Sequence, residues 1–397
     1  MIDVRWTSPF EHTIPFSLFH KHFTEINDAY WAYVPAASTI EKRALEGLQN
    51  EAEDPRKYFL ISDEDDRRVA NTYSEWKASF REFGNYTRLN IIMLLSSCFE
   101  TYLRTVVSLA FESKPACILG CPDKIDGVFL LKSKNGYGEF KSKEYLFKDS
   151  IESVCSGDWI KRAGNYRRFF NTLPFQTDIC KLDELRIKRN NIAHFIARKK
   201  EEYESTISPE PIDPIRISSQ ALKDYFALIY RTAIKIDEHL HKDYIGSYDI
   251  LKFFYFFARK NNLMSEPPTV LARELRKQLG SRGLQTVGQE YYKNLMEYFC
   301  LNDEDCVFRY SRNACIKEVN RRIADISISA DGKKCDFSAY FFRMFCKKFK
   351  VNENPDYTEM HKFKNCEIYF YSDKMIDSIV SFLQNYPNSF LNLLREQ

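Results

Sequence analysis

From Asn85 to Ser113 apolar positions recur at helical spacing. Leu89, Ile92, Phe99, Leu103 and Val106 form one stripe, and Leu95 and Tyr102 lie beside it. The pattern predicts one long helix, apolar nearly all round and central to its surroundings. A second pattern runs from Leu182 to Arg198, with Leu182, Leu185, Ile192 and Ile196 on one face and Arg189 interrupting the stripe. A third, Leu222, Phe226, Ile229, Ala233, Ile236 and Leu240, is an unbroken core face with Ser218 or Ser219 available as its cap. Weaker periodicities predict helices over Ser17 to Tyr33, from near Arg67, over Asp158 to Phe170 and over Tyr248 to Lys260. Beyond these, helices are expected over Gln285 to Cys300, Arg312 to Ile326, Asp336 to Lys350 and Lys374 to Arg395. Val128 to Leu131 and Cys366 to Tyr371 read as short strands.

The breaks between these patterns divide the chain into an N-terminal arm or helical subdomain (1–66), a helical domain (67–245) and a mostly helical C-terminal domain (246–397). The acidic run Ser62 to Asp66 marks the first boundary, and Gly246 with Ser247 marks the second. Residues 114–180 form an insertion between the two core helices. The expected fold class is mainly α. Scarce glycine and proline, 13 and 14 in 397 residues, favour helices over sandwiches or barrels, and 15% aromatics predict aromatic cores. The net charge of +3 announces no global affinity for nucleic acid, so any such site must come from local clustering.

Eleven cysteines, odd in number and scattered, form no CxxC. Cys117 and Cys121 lack the partners of a zinc set, so no metal and no cofactor is expected. Reduced thiols and the lack of a signal-like N-terminus fit a cytoplasmic protein. The apolar run Leu89 to Phe111 contains Asn90, Glu100 and Arg104, which reads as a buried helix and not a membrane span.

The interruptions in the two core helices carry the chemistry. Arg189 in an apolar stripe needs an acceptor, and Glu100, the acid in the middle of the long helix, needs a cation or several donors. The economical inference is that the helices pack and Glu100 faces Arg189. Asn190 and His194, four residues apart, share an adjacent face of the same helix. Arg186, Lys188, Arg198, Lys199, Arg167 and Arg168 cluster around this turn and could bind a phosphate backbone. Taken without this context, Arg189 and Glu100 are a buried ion pair and the basic residues are solvated surface.

Arg189, four residues, then His194, with polar Asn190 directly after the arginine, resembles the Arg-x(4–6)-His motif of RNase members of the HEPN superfamily. The likeness extends over about 67–245: a long apolar helix with a mid-helix acid, an intervening segment, the motif helix and a further amphipathic helix. The resemblance implies a HEPN-like helical bundle with an insertion, acting as a metal-independent endoribonuclease. The RNA 2′-hydroxyl would attack the adjacent phosphorus and leave a 2′,3′-cyclic phosphate. Carried over, His194 moves protons, Arg189 holds the phosphate, Asn190 orients the histidine or donates to the phosphate, and Glu100 fixes the arginine. The resemblance further implies an RNA substrate, a homodimer with a composite site, an antitoxin or regulatory partner, no membrane, and a role as toxin or anti-phage effector. The alternative is a non-catalytic RNA- or nucleotide-binding module, or a regulatory scaffold.

Overall fold

A computed structural model describes residues 2–47, 50–59, 65–115, 117, 126–132, 145, 147–200 and 212–300. Beyond 300 it describes 319, 329–330, 333–334, 360–363, 366–369, 379–383 and 385. The fold is mainly α, as the hydrophobic pattern predicts. Eleven α-helices of the described residues are α1 (Ile2–Trp6), α2 (Ile14–Gly47), α3 (Tyr73–Ser113), α4 (Gly127–Lys132), α5 (Lys148–Cys155) and α6 (Trp159–Phe170), followed by α7 (Ile179–His194), α8 (Ser219–Leu240), α9 (Tyr248–Lys260), α10 (Pro268–Ser281) and α11 (Gln289–Cys300).

Helix α3 is the axis of the body, with α2, α5, α7 and α8 packed around it. It starts at Tyr73, well before the apolar stripe becomes continuous and later than the expected start near Arg67. Thr72 accepts from the Glu75 amide while the Glu75 side chain accepts from the Thr72 amide, a reciprocal cap that satisfies donors at the helix start. By length and composition α3 could cross a membrane, yet 56% of its most apolar window is buried inside the protein. Helix α2 runs beyond the predicted Ser17 to Tyr33. Its Phe16 and Phe19 pack on Tyr102 of α3, with ring centroids 6.0 and 5.0 Å apart.

Two local expectations are corrected. Val128 to Leu131 is helical within α4, not a strand. A short apolar run does not distinguish the two, and here Asp126 accepts from the Val128 amide at 2.9 Å and starts a helix. Helix α7 ends at His194, short of the predicted Arg198. The Phe195 and Ala197 amides both return to the Asn191 carbonyl, and Ile196 and Ala197 adopt positive φ of 53° and 60°. Ile196, expected in the apolar stripe, is therefore 64% exposed. Arg198 and Lys199 lie beyond the helix, and the basic residue of its last turn is His194.

Ser218 caps α8 as predicted, accepting from the Ala221 amide at 3.0 Å. The chain then turns through a π-helical segment, His241–Ile245, to Gly246, whose φ is +54°. Here α1 comes back into the body. The fully buried Arg5 donates to Asp126, to the Ser113 hydroxyl at 2.6 Å and to the Ile245 carbonyl at 2.5 Å. The Ser247 amide donates to the Arg5 carbonyl at 2.9 Å. One apolar core runs from Phe16 through Phe299.

Two antiparallel hairpins lie further on, β1 (Ser329–Ala330) with β2 (Lys333–Lys334) and β3 (Met360–Phe363) with β4 (Cys366–Tyr369). The strand predicted over Cys366 to Tyr371 is found as β4. The predicted helices Arg312 to Ile326 and Asp336 to Lys350 lie outside the described residues, apart from residue 319, as does most of Lys374 to Arg395.

Candidate functional site

Helices α3, α6 and α7 meet around Glu100. Arg189 of α7 donates through Nη2 to Glu100 Oε2, the pairing inferred from the two interrupted stripes. Its Nη1 donates to Asn190 Oδ1 at 3.1 Å, so the Asn190 carbonyl is spent on orienting Arg189. The second Glu100 oxygen, Oε1, lies 3.7 Å from Nη2 of Arg162 on α6. One carboxylate thus serves two guanidiniums.

Arg162 escapes a reading by charge clusters, which places it with Lys161, Arg167 and Arg168 on a basic face. It is 6% exposed. The available signal was its position: Trp159, Ala163, Tyr166 and Phe170 form the buried stripe of α6, and Arg162 falls on it. Asp158 caps that helix, accepting from the Lys161 amide at 2.8 Å, and so sets the register. Arg162 Nε donates to the Gly157 carbonyl at 2.9 Å, and its guanidinium sits 5.0 Å from the Trp159 ring centroid. Its Nη1 is buried without a hydrogen-bond partner. Burial pulls the Arg162 pKa below its ordinary value, Glu100 opposes that fall, and Arg186 and Arg189 add to it.

His194, the last residue of α7, is exposed, and neither Arg189 nor Asn190 hydrogen-bonds to it. Five residues along a helix turn the two side chains by about 140°, which explains the separation. The structure therefore assembles Glu100, Arg189, Asn190 and Arg162, and leaves His194 at the rim.

Most of the expected phosphate-binding cations already have partners. Arg186 is bidentate on Asp183, at 2.7 and 3.2 Å, and this donation holds the Asp183 carboxyl below its usual range. Lys188 pairs with Glu184 and lies 5.6 Å from the Tyr225 ring. Arg167 donates to Gln176. Arg198 spends its guanidinium on the carbonyls of Ile212 and Ile196, at 2.6 and 2.7 Å. Arg168 stacks 5.6 Å from the Phe169 ring and Lys199 is exposed.

A second polar cluster joins the segment before α2 to α8 and α9, and charge or motif reading of the sequence does not find it. Asp237, fully buried, accepts from the Thr13 hydroxyl at 2.5 Å and the Thr13 amide at 3.2 Å, and it faces His12 Nδ1 at 3.2 Å. Asp249 accepts from the Ile14 amide at 2.7 Å. These two carboxylates satisfy the N-terminal donors of α2 from outside the helix. His12, His241 and Asp249 line a cavity of about 100 Å³. The Asp237 hydrogen bond raises the His12 pKa above 6.5, and burial raises that of Asp249. Among the described residues no group of three or more His, Cys, Asp or Glu is placed to hold a metal ion.

Residues 303–395 match the family described as EC042_2821-like Restriction Endonuclease-like domain. No curated protein and no solved structure matches the chain. The family found is thus a restriction endonuclease-like one, and it overturns the HEPN assignment. The physical reason is plain. A mid-helix acid paired with a half-buried arginine is a solution open to any helical body that must neutralise a charge between its helices, and a six-residue motif adds little to it.

Proposed function

We propose that the protein is an endonuclease whose phosphodiester cleavage resides in 303–395 and whose helical body binds the backbone of the nucleic-acid substrate. The observation that carries this reading is the restriction endonuclease-like match over 303–395. Charge supports it: α6 exposes Lys161, Arg167 and Arg168 and holds no acid, and α7 holds Lys181, Arg186, Lys188 and Arg189 against Asp183 and Glu184. Together with Glu100 and Asp158 this surface keeps a positive excess, which suits a polyanion.

A second reading places the cleavage at the rim of α7, on RNA. Arg189, held by Glu100 and Asn190 with its side chain 26% exposed, favours it, because a fixed cation there can meet a phosphate. His194 would take the proton of an attacking 2′-hydroxyl, the P–O5′ bond would break, and the proton would pass to the departing 5′-oxygen, giving a 2′,3′-cyclic phosphate and a 5′-hydroxyl. Either cleavage would suit a toxin or anti-phage effector, with growth arrest on expression as the readout.

The test is incubation of the full chain with DNA and RNA, with and without EDTA, followed by analysis of product ends. Cleavage that His194→Ala leaves intact supports the first reading. Cyclic phosphate ends that His194→Ala abolishes support the second. No cleavage of either polymer under any condition overturns both.

A further inference from the structure

Between Tyr86 and Thr105 the most exposed residues of α3 are Tyr86, Asn90, Leu94, Ser97, Thr101 and Thr105. None is charged, in a chain with 28% charged residues. Their spacing of three and four keeps them on one side of the helix, a stripe about 28 Å long. An uncharged strip of that length on the central helix is unusual for surface facing water. Within it Leu94 stands out as a knob, 53% exposed. One turn and more further on, α3 and α2 enclose a mostly apolar pocket of about 330 Å³, lined by Leu18, Phe19, Ser97, Thr101, Tyr102 and Thr105 among others. The Thr105 hydroxyl donates back to the Thr101 carbonyl at 2.8 Å, which satisfies its polar end along the helix.

Knob and pocket are in register with each other. Leu94 lies seven residues before Thr101, at the centre of the pocket's α3 wall, so the midpoint between them falls between Ser97 and Cys98. A two-fold axis through that point, perpendicular to α3, sets residue 94 of one chain opposite residue 101 of the other, and 90 opposite 105. Both knobs then enter both pockets at once, the self-complementarity a closed two-fold interface requires. Small Ser97 and Thr101 allow the two helices to approach, and Arg104, beside the stripe, keeps Glu152 of its own chain as partner. We propose that this protein forms a two-fold dimer through antiparallel α3 helices, with Leu94 of each chain seated in the α2–α3 pocket of the other.

The full chain is to be examined by sedimentation equilibrium across a concentration series, with circular dichroism and thermal melting as folding controls. The wild type is expected to be a dimer. Leu94→Glu, at an exposed position, should keep the spectrum and a single cooperative melt, lose the concentration dependence of the melting point, and raise the dissociation constant by at least about 100-fold. Leu94→Lys combined with Thr101→Glu should restore the dimer, because the axis sets each lysine against the other chain's glutamate. A monomeric wild type at all concentrations, a Leu94→Glu chain that still dimerises, or a double variant that stays monomeric overturns the proposal.

Discussion

Glu100 binds Arg189 across 89 residues of chain, and its other oxygen faces Arg162. The carboxylate is the shared counter-ion of α6 and α7 on the central helix.

Removal of that counter-ion should cost more than removal of one of the cations it serves. Glu100→Ala removes the carboxylate that faces a guanidinium only 6% exposed. Because Glu100 itself is partly solvated, we expect about 2 kcal/mol, below the range for a fully buried pair. Arg162→Met keeps the apolar stem, removes the unpartnered Nη1 and leaves Glu100 with Arg189, so about 1 kcal/mol or less is expected. Urea denaturation measures both, and equal losses would refute the asymmetry.

Gly246→Ala tests how the N-terminal helix is held. A Cβ there would sit 2.5 Å from the Arg5 carbonyl oxygen, and φ is +54°. Both strain and clash act on the turn that receives α1, so a loss of about 2–3 kcal/mol is expected. Hydrogen exchange should show the amides of α1 and Ser247 opening first. Unchanged protection there would mean that α1 is not anchored at this turn.

The sequence made some of this legible and hid the rest, for physical reasons. Helices α3 and α8 announced themselves because burial on one side imposes a helical period over many residues. Glu100 and Arg189 were found because each breaks such a period. Arg162 was hidden by its neighbours: among four cations it looks like surface, although its stripe is apolar. Arg5 and Asp126 lie 121 residues apart, and no local pattern joins them. The early end of α7 was invisible because Ile196 fits the stripe perfectly well, and only the backbone bonds to Asn191 take it out. The Arg-x4-His spacing misled in the opposite direction, since a half-buried arginine paired with Glu100 and an unrelated exposed histidine five residues on give it without the family.

Stability should depend on pH through His12. Its folded pKa is raised above 6.5 by the Asp237 hydrogen bond, with Glu11 and Glu238 adding to the rise and burial opposing it. A raised folded value means that the stabilisation is complete below pH 6.5 and is lost as pH climbs through the folded pKa. Asp249, raised by burial, also favours lower pH, but from 3.8 upward, so the His12 contribution needs its own reference. The melting point of wild type minus that of His12→Gln should shrink as pH rises from 6 towards 9. A constant difference would show that His12 contributes only its packing on Phe16, whose ring centroid lies 4.2 Å away.

The partnering of cations on α6 and α7 predicts which of them a polyanion would feel. Arg186 is held on both oxygens of Asp183, so its positive charge is already compensated. Arg168 is exposed and rests on the Phe169 ring, a contact that leaves its charge facing outward. If the helical body binds a nucleic-acid backbone, each phosphate contact removed lowers the slope of log affinity against log salt by about 0.9 for a duplex and about 0.7 for a single strand. Arg168→Ala should therefore weaken binding and lower the slope by about that amount. Arg186→Ala should leave the slope nearly unchanged, because the phosphate would have to displace a carboxylate before it gained the arginine. Fluorescence anisotropy of a labelled oligonucleotide between 50 and 300 mM salt measures both. Equal slopes for wild type and Arg168→Ala would remove this face from the nucleic-acid path.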